Sequence, residues 1–192
     1  MIPDTNGNLH VAKRSCIVVL TVSMEISIVD ICAFVISAAG GCFALLQWRK
    51  AQKLRRAEHV KDLLLRFRDD TEIADAFYRI DYGEEWYTKE FIEEHKDEKR
   101  FDRLFAYADY ACYLLKQHVI GAKEFQPFEY RICRLANNRD VQSYFFNLYH
   151  FSKRNNVPMS FQYLLNYMRK EGLLFDDFDN SESSKFKVWL NI

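Results

Sequence analysis

At 192 residues, with 27 Lys+Arg against 27 Asp+Glu, the chain carries no net charge, which excludes a general attraction to nucleic acid or to another strongly acidic partner. Hydrophobic residues make up 49% and aromatics 16%, too many for a disordered chain and enough for a packed core. With only 6 Gly and 3 Pro, an all-β fold rich in tight turns is disfavoured and long helices are favoured.

The first segment, residues 1–25, reads as an extracytoplasmic N-terminal stretch. Its apolar run CIVVLTV at 16–22 is too short to cross a bilayer. Residues 1–23 read either as a flexible or interfacial extension or as sequence upstream of a start at Met24. Residues 26–48 then run ISIVDICAFVISAAGGCFALLQW, with Asp30 the only charge. About 20 apolar residues at about 1.5 Å each cross the ~30 Å hydrocarbon layer, so this is a transmembrane helix. A soluble core helix seldom stays apolar on every face for so long. A cleaved signal peptide is disfavoured: the apolar region is too long, its basic flank lies on the wrong side, and Trp48-Arg49 is not a small-residue cleavage site. Asp30 falls near the outer boundary, where it reaches water. Ala33, Ser37 and Gly41 recur every four residues, as do Gly40 and Ala44. That spacing lets two membrane helices approach closely, so a homo-oligomer through the span is expected.

Residues 49–70 read as a basic juxtamembrane helix. Arg49, Lys50, Lys53, Arg55 and Arg56 follow the span directly, against Lys13 and Arg14 on the other flank. The positive-inside rule places the C-terminal domain in the cytoplasm and the N-terminus outside. Trp48 suits the interface, where its ring is buried and its N–H stays wet. The cations serve topology and attraction to anionic lipid; their position against the span favours lipid over nucleic acid. Ala57, Val60, Leu64 and Phe67 mark one apolar face.

Residues 71–172 read as a cytoplasmic domain of about five or six helices, giving an all-α fold. Asp69-Asp70-Thr71 ends one helix and caps the next, Thr71–Ile80, which Asp81-Tyr82-Gly83 breaks. Thr88 caps a short helix through Phe91 and Ile92. A long helix follows from Glu98 to Val119, with Phe101, Leu104, Phe105, Ala108, Cys112 and Leu115 on one face and Gly121 as its C-terminal cap. Tyr107, Tyr110 and Tyr113 are expected at the surface or core edge. Pro127 suits the first turn of a helix facing inward through Phe128, Ile132 and Leu135, ended by Asn137-Asn138. Asp140 caps a helix with Val141, Tyr144, Phe145, Leu148 and Phe151 inward. After the break at Asn155-Asn156-Val157-Pro158, Ser160 caps a last helix through Tyr163, Leu164, Tyr167 and Met168, closed by Gly172. Residues 173–192, with Asp176, Asp177, Asp179 and Glu182 among serines and then the short apolar run Phe186–Leu190, read as an acidic flexible tail whose last residues dock on the domain or on a partner.

Catalytic signatures are missing: no Walker loop, GxGxxG, HExxH, GxSxG or kinase set occurs. The five histidines fall in separate segments. Glu93, Glu94, His95, Asp97 and Glu98 resemble metal ligands in type, but they alternate with Lys96, Lys99 and Arg100, the pattern of a solvated charged helix end. No metal or other cofactor is expected. The scattered cysteines, Cys16, Cys32, Cys42, Cys112 and Cys133, form no CxxC pair and read as buried thiols in a reducing compartment.

LLQWRKAQ after the span, YADYACYLLKQHVI in the middle and SFQYLLNYM near the end carry a resemblance. Over residues 26–170 the chain resembles an uncharacterised group of small bacterial membrane proteins, a domain of unknown function. The resemblance implies a bacterial inner-membrane location and an all-α domain, and brings no catalytic residues with it. The function expected is a non-enzymatic, membrane-anchored interaction module that binds the lipid bilayer and a cytoplasmic protein, with no nucleic acid. The alternatives are a membrane-perturbing effector of a bacterial defence or toxin system, and an enzyme with an unrecognised site.

Overall fold

The computed structural model describes residues 27–95 and 97–189. The N-terminal segment 1–25 with Lys13, Arg14 and Cys16, the first span residue Ile26, Lys96, and the last three residues lie outside the described residues. The chain divides into two units, Met1–Leu46 and Gln47–Ile192. All regular structure among the described residues is helical: α1 (Ile28–Asp69), α2 (Thr71–Asp81), α3 (Lys89–Glu93), α4 (Glu98–Lys116), α5 (Ala122–Ala136), α6 (Arg139–Asn155) and α7 (Gln162–Lys170). The fold is therefore one long apolar N-terminal helix followed by a helical bundle, as expected.

In the second unit, α4 packs against α2, α5 and α7, while α5 also meets α2 and α6. The core is unusually aromatic. Phe105 is fully buried, with ring centroids 5.2 Å from both Tyr144 and Phe145, and Trp86 stacks on Phe101 at 4.0 Å. Leu63 and Phe67 on the last turns of α1 are buried, with Val60 and Leu64 beside them; Ala57, expected on the same face, is exposed. Tyr107 is a correction. It is buried rather than at the edge, and burial pushes its phenol up to about 12.

Helix ends explain most differences from the sequence reading. Asp70 caps α2 as expected, its carboxylate accepting from the Glu72 and Ile73 amides at 3.2 and 3.3 Å. α4, however, ends at Lys116, and its left-handed closing residue is His118 (φ 55°), with Val119 N–H donating to Leu114 O at 3.0 Å. Gly121 therefore does not cap α4. It precedes α5, where the Glu124 carboxylate accepts its N–H at 3.1 Å. That early start puts Pro127 in the helix interior rather than its first turn; the hydrogen bond it removes is the one to the carbonyl of Lys123, and both residues lie on the exposed side of the helix. Asn138, not Asp140, caps α6, accepting from the Asp140 and Val141 amides at 2.9 and 3.1 Å. Ser160 does not cap α7. Phe161 takes a left-handed turn (φ 55°), and Asp109 of α4 accepts the Leu164 N–H at 2.8 Å. Gly172 closes α7 as expected, with φ 66°.

A left-handed histidine costs energy that glycine avoids. His118→Gly is expected to stabilise the domain by about 0.5–1 kcal/mol, because the exposed imidazole loses little packing. Urea unfolding of the two proteins side by side measures this; an unchanged or lower midpoint would count against the closing role of His118.

Residues 173–189 form no helix, yet they are not a flexible tail. Phe178 and Phe186 are 2% and 6% exposed, and Phe186 stacks on Phe146 at 4.4 Å. The acidic residues Asp176, Asp179 and Glu182 stay exposed while the aromatics between them turn inward. Their irregular spacing matches neither a helical nor a strand period, so periodicity gave no sign of it.

Candidate functional site

The apolar part of α1 is built as a membrane helix would be. Its most apolar 18-residue window has a mean hydropathy of 2.1, and none of that window is buried. Ser27 and Asp30 close its N-terminus reciprocally: Ser27 Oγ accepts the Val29 N–H at 3.3 Å, and Asp30 Oδ2 accepts the Ser27 N–H at 3.2 Å. An acid at this position thus satisfies an orphan helix-end donor. Ala33, Ser37, Gly40, Gly41 and Ala44 are all exposed, and a Cβ placed on Gly40 or Gly41 meets nothing within 4 Å. Cys32 and Cys42 are likewise exposed, so among the described cysteines only Cys112 is a buried thiol, with Cys133 partly covered.

Trp48, Arg49, Lys50, Lys53, Arg55 and Arg56 are also exposed, and among the described residues none of these cations forms an ion pair. Their charge is free for an external anion. The acidic run at 93–98 is organised differently. Asp97, in a left-handed conformation at φ 61°, pairs with Arg79 at 2.7 Å and Arg100 at 3.3 Å, and His95 Nδ1 meets Glu98 at 2.6 Å. Among the described residues no group of three or more His, Cys, Asp or Glu could hold a metal ion.

Two features escaped the sequence reading. One is a groove of about 710 Å³ between the end of α4, the start of α5, and α7. Its floor is Phe125, Ile120 and Cys112, whose thiol is pushed up by burial. Tyr163 and Tyr167 are only partly buried and form one wall. Lys116 lies over the Tyr163 ring at 5.3 Å, and burial, with Glu129 and Glu171 nearby, raises the Tyr167 phenol. The rim carries both signs of charge, so it selects no ligand charge.

The other feature is polar and buried. Asp140 in the first turn of α6 accepts the Trp86 and Tyr87 N–H groups at 3.1 and 3.2 Å and pairs with Lys187 at 2.9 Å. Lys187 also reaches Glu85 at 2.6 Å. Burial opposes the ammonium charge, but the bonds to Asp140 and Glu85 outweigh it and hold its pKa above the usual lysine value. One carboxylate thereby joins the 84–87 loop, α6 and the C-terminal segment. Asp140 was legible only as a cap, because its partners lie some fifty residues away in each direction. Compared with protein-family models, with curated proteins and with solved structures, the chain has no match in any of the three.

Proposed function

We propose that this protein is a membrane-anchored helical interaction module: α1 crosses the bilayer and the bundle meets a cytoplasmic protein partner. The observation that carries the reading is the apolar, wholly unburied window of α1, since a folded chain rarely leaves so long an apolar stretch without a cover. Arg49, Lys50, Lys53, Arg55 and Arg56 support an orientation with the bundle inside and anionic lipid at the helix exit. The resemblance noted above supports a bacterial inner membrane. In this orientation protease added to inverted vesicles digests the bundle, and protease added outside intact spheroplasts leaves it whole; the opposite pattern refutes the orientation. Crosslinking in membranes followed by affinity purification tests the module itself. Recovery of a monomer alone, without any specific partner, would overturn it.

The open small-residue stripe at Ala33, Ser37 and Gly41 favours a second reading, a membrane-perturbing effector whose spans assemble. Overexpression should then depolarise cells, and Gly41→Leu should abolish the effect by blocking close approach. Unchanged membrane potential with the unsubstituted protein removes this reading.

A further inference from the structure

α6 binds the end of its own chain largely through main-chain atoms. Gln142, Ser143 and Asn147 are fully buried polar side chains, an arrangement that costs stability unless every group is paired. Each is paired with residues 173–189. Gln142 Nε2 donates to Leu173 O at 2.9 Å. Ser143 Oγ accepts the Lys187 N–H at 3.1 Å. Asn147 donates to Lys187 O and accepts from Trp189 N–H, both at 2.6 Å. The Asn147 amide thus reads alternate residues of an extended segment, as a neighbouring strand would.

Side-chain selectivity comes from the pockets on either side. Phe186 stacks on Phe146 at 4.4 Å, Trp189 meets the edge of Tyr87 at 4.7 Å, and Lys187 sits between Asp140 and Glu85. Val188 between them is 44% exposed and reads nothing. The pattern accepted is aromatic, lysine, any residue, aromatic, and the partly buried ion pair sets its register.

We infer that this face of α6 is a peptide-recognition surface, filled in the structure by the chain's own C-terminal segment, and that its partner is the same segment of a second copy. That segment supplies every group the surface reads; it follows the Gly172 turn and forms no helix of its own, so exchange carries the whole packed segment, Phe178 included, into the same contacts on a second copy. The surface itself is independent of the anchor; only the high local concentration that promotes exchange rests on the membrane reading.

The test uses the full-length chain in detergent micelles and a fluorescein-labelled peptide of residues 182–189, ESSKFKVW. Lys187→Met in the chain loosens the resident segment and leaves Asp140 intact. This variant is expected to bind the peptide about tenfold or more tightly than the unsubstituted chain does. The peptide carrying the same Lys187→Met change should bind the variant about tenfold more weakly. In a chain carrying Lys187→Met with Asp140→Asn, the difference between the two peptides should shrink markedly, since only the exposed Glu85 carboxylate remains to pair with the lysine, with near-ultraviolet circular dichroism checking the fold. No saturable binding to the Lys187→Met chain, or equal binding of both peptides to it, overturns the recognition surface. For the second copy, two differently tagged chains, both carrying Gly41→Leu to remove association through the span, are co-expressed, and excess peptide is expected to separate them. No co-purification, or co-purification that excess peptide leaves unchanged, overturns the second copy as partner; peptide binding without co-purification leaves another protein bearing this pattern as the occupant.

Discussion

Asp140→Ala is expected to lower the stability of the bundle by about 3 kcal/mol, more than most substitutions of an exposed or half-buried charge. The carboxylate has a relative exposure of only 10% and accepts two amide donors, Trp86 and Tyr87, while facing Lys187. Alanine removes all three partners together. It leaves two buried N–H groups unsatisfied and a lysine without its inner counterion, and each such loss carries a desolvation cost of about 1–3 kcal/mol. Lys187→Met should cost about half as much, about 1.5 kcal/mol, because Asp140 keeps its two amides and Lys187 is already partly solvated. Urea unfolding of the full-length chain in mild detergent, followed by near-ultraviolet circular dichroism of the buried aromatics, measures both. Equal, small losses for the two variants would show that Asp140 does not join the loop to α6.

Phe105→Ala should have the largest effect, about 3–5 kcal/mol. Phe105 sits in the middle of α4 with no exposed surface, surrounded by Trp86, Tyr144, Phe145 and Phe161 at ring-centroid distances of 5.2–5.9 Å. Rings belonging to the 84–87 loop, α6 and the start of α7 all rest on it. Because these neighbours are themselves large and mutually packed, they collapse poorly into the space left behind, and the cavity contribution adds to the lost burial. The same unfolding experiment reads the loss; a change below about 1 kcal/mol would mean that the aromatic cluster repacks freely.

The helices themselves were legible because their apolar residues recur at three and four. Phe101, Leu104, Phe105, Ala108 and Cys112 lie buried along α4, and Ile132 and Leu135 along α5, as their spacing requires. Breaks were legible where the signal is local: the Asp70 cap, and the turns at Gly83, Asn156 and Gly172, all of which take positive φ apart from Asp70 itself. What stayed hidden depends on distant parts of the chain. The cap of α7 comes from Asp109, fifty-five positions away, and that of the loop amides from Asp140. The polar side chains Gln142, Ser143 and Asn147 look like a solvent-facing stripe until the C-terminal segment covers them. That segment has no period, so Phe178 within it gave no sign of burial, whereas Phe186 and Trp189 dock on the domain as the apolar run at its end allowed. On α1 the apolar run and the basic exit were plain in the sequence, whereas the pairing of Ser27 with Asp30 was not, since Asp30 had a simpler use as a boundary residue.

The most direct measurement is the distribution of the full-length protein after cells are broken without detergent and centrifuged at high speed. Insertion of α1 in a bilayer requires the protein in the pellet, resistant to alkaline carbonate and released only by detergent. Recovery in the clear supernatant, still folded, would contradict it.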